Sequence, residues 1–184
     1  VLPSGGTEGA ELEALLAAEH VTYRAVRVTG SIRVNISLTE PDGTATKINA
    51  LGPTLSDEES DRLLSAVVDA SGDAVWVLGS GSLPRGVGET FYARLGEAAR
   101  QCGARFALDS SGAPLLAGLR ARPDVIKPNA EELAQAVGRP LATFGDTVVA
   151  AGDLGELGAA TVVVSMGSDG ALLVDEDGVL HAEA

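Results

Sequence analysis

The chain has 184 residues, 45% of them apolar and only 3% aromatic, with a formal charge of −13. That length suits one domain whose core is built mainly from Ala, Val and Leu. The negative charge argues against non-specific binding to nucleic acid or to an anionic membrane, while leaving room for a local basic pocket. The single cysteine, Cys102, cannot close an internal disulfide, which fits a reducing cytoplasm. No apolar stretch approaches the ~20 residues needed to cross a bilayer, and no secretory signal is visible.

In chain order, Val1 to Gly9 reads as a strand end running into a Gly-rich turn, and Ala10 to Glu19 carries leucines at helical spacing. Ser31 to Thr39 alternates. Ile32, Val34, Ile36 and Leu38 fall on one side; Arg33, Asn35, Ser37 and Thr39 fall on the other. Pro41-Asp42-Gly43 signals a turn, and Thr44 to Asn49 returns as the partner strand. One apolar and one polar face predict a half-buried small sheet beside the main domain. A solvated strand face accounts for Arg33 and Asn35 on pattern alone.

Ser56-Asp-Glu-Glu59 is a capping box that opens a helix to about Ala70. From there strands alternate with helices. The strands are Ala74–Leu78 (with Trp76 in the core), Arg105–Leu108, Val125-Ile126 and Thr161–Val164. The helices are Gly88–Cys102, Ala113–Arg120, Asn129–Val137 and Thr143–Leu157. Ala171–Val174 and Val179–Ala182 close the series as an antiparallel hairpin at the sheet edge. Such alternation predicts an α/β fold with a largely parallel sheet covered on both faces.

Four loops follow apolar strands: Gly79–Gly86, Asp109–Gly112, Lys127–Glu132 and Ser165–Gly170. In a parallel sheet such loops emerge at one edge, where ligands bind. Each has a plainer reading as well. Gly79–Gly86 fails as a dinucleotide fingerprint, since Pro84 sits where a helix should open, and a Gly/Ser strand-to-helix connection explains it. Asn129 and Glu132 are accounted for by a helix cap. Ser165–Gly170 can be only a tight turn, although its glycines would let backbone N–H groups approach phosphates. Asp109 simply ends a strand. His20, His181 and Cys102 read as structural.

The order and spacing of these segments are more specific than any one of them. Gly79-Ser-Gly-Ser-Leu-Pro-Arg-Gly86, Leu108-Asp-Ser-Ser-Gly112, Ile126-Lys-Pro-Asn-Ala-Glu-Glu132 and Val164-Ser-Met-Gly-Ser-Asp-Gly170 resemble blocks of the PfkB/ribokinase family of carbohydrate kinases. The resemblance covers essentially the whole chain and is greatest to the hexose-phosphate branch. Within that branch, Ile32–Gly43 and Thr46–Pro53 look most like 1-phosphofructokinase segments.

The resemblance implies a ribokinase-like three-layer α/β/α domain over 1–184, with a β-sheet lid at about 22–53. It also implies a cytoplasmic enzyme that uses ATP and Mg²⁺, and a homodimer formed through the lid. The implied reaction phosphorylates a ketohexose phosphate, fructose 1-phosphate first, with tagatose 6-phosphate and fructose 6-phosphate as alternative acceptors. A non-catalytic nucleotide- or sugar-phosphate-binding fragment is the reading from another class. Residue by residue, Arg33, Asn35 and Ser82 match sugar-phosphate contacts. Lys127, Asn129 and the run Ser165, Met166, Gly167, Ser168, Asp169 and Gly170 match nucleotide positions. Glu132 and Asp109 match acids that act on the metal through water. The family's first strand, its Gly-rich sugar segment and its Gly-Ala-Gly-Asp block find no counterpart, so the chain reads as the middle of a kinase. The catalytic base is expected beyond Ala184, and the 184 residues alone are expected to be inactive.

Overall fold

The structure is a computed structural model that describes residues 1–183. Its contacts divide into two compact units: Val1–Ala70 with Pro84–Val87, and Ser71–Leu83 with Gly88–Ala184. No helix among the described residues is long and apolar enough to cross a membrane.

The first unit opens with β1 (Leu2–Ser4), α1 (Gly6–Ala18) and β2 (Ala25–Arg27), the two strands pairing in parallel. The helix therefore starts earlier than the leucine spacing alone suggests, right after Gly5. β2, three residues long, is too short to announce itself in the sequence. β3 (Asn35–Thr39) and β4 (Ala45–Asn49) form an antiparallel hairpin with Ile36 opposite Ile48 and Asn35 opposite Asn49.

The hairpin differs from expectation in two ways. Its first strand begins at Asn35 rather than Ser31, so Arg33 precedes it. Nor is one face half-buried: Ile36, Leu38 and Ile48 are 54%, 57% and 56% exposed. α2 (Asp57–Ala70) starts with the expected box, in which Glu59 N–H donates to Ser56 Oγ (3.2 Å) and Ser56 N–H to Glu59 Oε2 (2.9 Å). Glu59 Oε1 also accepts from Thr29 N–H at 2.6 Å, tying the chain just after β2 to the start of α2.

The second unit carries a six-stranded sheet in the order β10-β9-β8-β7-β6-β5. β5 (Trp76–Ser80), β6 (Arg105–Asp109), β7 (Val125–Ile126) and β8 (Thr161–Ser165) are mutually parallel. β9 (Ala171–Asp175) and β10 (Gly178–Ala182) complete the sheet as antiparallel edge strands. Between them run α3 (Phe91–Gln101), α4 (Gly112–Gly118), α5 (Ala130–Val137) and α6 (Phe144–Glu156).

Register puts Val77, Phe106, Leu108, Ile126, Val162, Val164 and Leu172 on one face, all buried. α3 lies so close there that a Cβ on Gly79 would sit 2.8 Å from the Tyr92 ring. The other face differs from expectation at β5. Trp76 is 43% exposed and Leu78 63%, and the Arg105 guanidinium lies 5.4 Å from the Trp76 ring centroid. Because Val75 to Leu78 is apolar on both sides of the pleat, the sequence gives no sign of which side is covered.

Candidate functional site

Four parallel strands carry their C-terminal ends to one edge, and the four loops begin there. Hydrogen bonds link them. Gly81 N–H donates to Asp109 O at 2.8 Å, while Ser110 Oγ and Tyr92 Oη donate to Gly81 O at 3.1 and 2.8 Å. Lys127 N–H donates to Leu108 O, and Ser165 N–H to Pro128 O, each at 3.1 Å. Burial, with Asp109 nearby adding repulsion, pushes the Tyr92 phenol up to about 12, so at neutral pH it serves only as a neutral donor to Gly81.

Lys127 and Asp109 meet as an ion pair of 3.4 Å, both partly exposed. Asn129 caps α5 as anticipated: its Oδ1 accepts from Glu132 N–H (2.8 Å) and Glu132 Oε2 accepts from Asn129 N–H (2.9 Å). The cap occupies one Glu132 oxygen; the other has no protein partner among the described residues. Ser165–Gly170 forms a tight turn containing a 3₁₀ segment, closed by Met166 N–H to Gly170 O at 2.9 Å.

Beside this turn lies an open pocket of about 850 Å³. Asn129, Ser165, Met166, Gly167, Ser168 and Asp169 line it, so six of the eight expected nucleotide positions share one cavity. Lys127 and Gly170 are not among its lining residues. The lining also includes Thr143 and Phe144, which carry no site signal in the sequence, and His181, whose sequence reading is structural. The Phe144 and His181 rings meet edge to face with centroids 5.1 Å apart. His181 Nε2 donates to Asp169 O at 2.9 Å, which fixes its tautomer. Nothing in the sequence brings a helix-start Phe and an edge-strand His together; the fold does.

Arg33 and Asn35 belong to the first compact unit and Ser82 to the second. Arg33 lies just ahead of the hairpin, and Asn35 shares the polar hairpin face with Ser37, Lys47 and Asn49. Ser82 is exposed in the loop after β5. Among the described residues no group of three or more His, Cys, Asp or Glu side chains could hold a metal directly. The uncommitted Glu132 oxygen is open to a hydrated cation, while the Asp109 carboxylate is shared with Lys127.

Residues 3–184 match the pfkB family of carbohydrate kinases. The chain belongs to that family. A 1-phosphofructokinase of Haemophilus influenzae is 34% identical over 97% of this chain and 57% of the relative, and one of Rhodobacter capsulatus 38% identical over 92% and 55%. This pfkB chain thus spans somewhat over half the length of the curated relatives it matches. Among solved structures, phosphofructokinase-2 of Escherichia coli in complex with fructose-6-phosphate superimposes with a TM-score of 0.89 at 34% identity. That match covers 98% of this chain and 60% of the other. A tetrameric inhibited form of the same enzyme matches at 0.89 and 35%, over 97% and 60%. The ribokinase-like α/β fold follows from these likenesses and from the sheet order above.

Proposed function

We propose that the protein carrying these residues transfers the γ-phosphoryl group of ATP to a hydroxyl of a ketohexose phosphate, with fructose 1-phosphate as acceptor. The observation that carries this reading is the single cavity lined by Asn129 and the Ser165–Asp169 turn, at the edge to which four parallel strands deliver their loops. The curated relatives named 1-phosphofructokinase favour the 1-phosphate. Fructose 6-phosphate is the second acceptor to weigh, because it is bound in the superimposable phosphofructokinase-2.

Phosphoryl transfer asks the protein mainly for positioning and for charge stabilisation. Within the Ser165–Gly170 turn, the backbone N–H groups of Gly167 and Ser168 are the ones not engaged by other backbone carbonyls among the described residues, and they are offered to the phosphate chain. Lys127 supplies a cation that its loop already holds beside Asp109. Arg33 and Asn35 hold the sugar phosphate, and Ser82 contacts the sugar. Mg²⁺, contacted through water by Glu132 and Asp109, would neutralise phosphate charge. The exposed apolar face of Ile36, Leu38 and Ile48 supports a homodimer formed lid to lid.

The test is ADP production by the full-length protein with fructose 1-phosphate, fructose 6-phosphate and tagatose 6-phosphate. Fructose 1-phosphate is expected to give the highest kcat/KM. Turnover of none of the three would overturn the kinase reading. For Arg33→Ala the KM for the sugar phosphate is expected to rise tens-fold, with the KM for ATP little changed, as fits loss of a charge-assisted bond of roughly 1.5–3 kcal/mol.

A further inference from the structure

In the first compact unit the cations Arg24, Arg27 and Arg62 each face a carboxylate: Asp69, Glu13 and Glu59. Among the described residues Lys47 faces none, and neither do Arg33 and Arg85. The two arginines flank the same glycine. A Cβ placed on Gly52 would meet Arg33 Cβ at 3.6 Å and Cδ at 4.0 Å, and Arg85 Nη2 donates to Gly52 O at 3.1 Å.

The backbone of Arg85 is set by its surroundings. Arg85 O accepts from Leu55 N–H at 2.8 Å, and Arg85 forms a parallel bridge with Thr54. Gly86 follows at φ +84°, where an added Cβ would lie 2.2 Å from Leu55 O. Only glycine fits there, so Arg85 is delivered to the Gly52 strap by a backbone with one available course. One of the five N–H donors of its guanidinium goes to the Gly52 carbonyl; the rest stay available in a planar fork suited to phosphate oxygens.

We infer that Arg85 is a second phosphate-holding residue of the sugar subsite, gripping with Arg33 the phosphate the acceptor already carries. This rests on the functional reading above, since it presumes that Arg33 meets that phosphate. The carbonyl bond to Gly52 is then the brace that aims the guanidinium. An acceptor without a phosphate gains nothing from either arginine, so the pair also sets a preference for phosphorylated over free ketohexose.

The experiment is calorimetric titration of the full-length protein with fructose 1-phosphate and with inorganic phosphate, with ATP binding and melting followed in parallel. Arg85→Gln removes the charge, and the brace it gives up is a single solvent-exposed hydrogen bond. Its affinity for both phosphate probes is expected to fall about tenfold, as for one charge-assisted contact, with ATP affinity and Tm unchanged. Arg33→Ala combined with Arg85→Gln is expected to lose less than the product of the two single losses, because both grip one group. Wild-type affinity in Arg85→Gln, or losses that multiply independently, would overturn the assignment and leave Arg85 as a strap for Gly52. The functional reading fails separately, on turnover: a protein that binds both probes in this pattern yet phosphorylates no ketohexose phosphate keeps the arginine pair and loses the kinase.

Discussion

Lys127 and Asp109 face each other across adjacent strand ends, ammonium to carboxylate at 3.4 Å, joining the loops after β6 and β7. Side-chain exposures of 49% and 36% put the pair within reach of water, so its contribution to stability is at most about 1 kcal/mol. Its significance lies in where it holds the lysine. Lys127→Ala is expected to leave Tm nearly unchanged while raising the KM for ATP about tenfold. A variant that melts several degrees lower with an unaltered KM would show the pair to be structural.

Glu132 holds two assignments that separate experimentally. Its Oε2 completes the helix cap with Asn129, and a glutamine oxygen can accept the same bond. Glu132→Gln is therefore expected to melt like wild type yet need more Mg²⁺ for half-maximal activity. Glu132→Ala removes the cap as well and is expected to cost about 1 kcal/mol more. An unchanged Mg²⁺ requirement in the glutamine variant would confine Glu132 to capping.

The β3–β4 hairpin bears on assembly. With Ile36, Leu38 and Ile48 uncovered on one face, the lid pair is expected to dissociate when that face is charged. Ile36→Lys in the full-length protein should shift sedimentation from dimer to monomer without altering the melting of the monomer. A dimer that survives the substitution would place the subunit contact elsewhere.

These contrasts mark what the sequence could and could not convey. The parallel strands and their loops were legible because apolar runs followed by small and polar residues recur in a fixed order. Capping at Ser56–Glu59 and Asn129–Glu132 was legible because its chemistry is local. The side of β5 that faces outward was not, since Trp76 and Leu78 carry the same apolar signal as Val77. Phe144 and His181 were not either, because they meet only once α6 and β10 are placed around the Ser165–Gly170 turn. Local rules read the elements and their caps. Pockets assembled from distant segments need the fold.

Gly96 tests the packing of α3 on the sheet. A Cβ there would lie 2.6 Å from Phe106 Cδ1 and 2.7 Å from Ala121 Cβ, and Phe106 is buried. Alanine is the better helix former by about 1 kcal/mol, but overpacking of this kind costs about 1–3 kcal/mol. With two hard contacts the clash is expected to prevail. Gly96→Ala should lower the denaturant midpoint with the slope unchanged. A stabilised variant would mean that α3 can withdraw from the sheet at little cost.

Glu59 couples stability to pH. Its carboxylate accepts from Ser56 N–H and Thr29 N–H and lies near Arg62, and these interactions, the Ser56 bond foremost, hold its pKa below the ordinary 4.5. For a carboxylate with a depressed folded-state pKa, the unfolded chain binds the proton first. The stabilisation is then complete above the ordinary value and is lost as pH falls through it toward the folded value. Glu59→Gln retains one acceptor oxygen where two were in use, so it should be less stable than wild type at pH 7. The gap should hold steady down to about pH 5 and narrow below 4.5, where wild type forfeits its charge and the variant has none to lose. Comparing the two proteins by denaturant unfolding at each pH cancels the other carboxylates held low by hydrogen bonds, among them Glu13 and Asp146. A gap of constant size from pH 7 to pH 3 would show that the charge of Glu59 contributes nothing to the joint between β2 and α2.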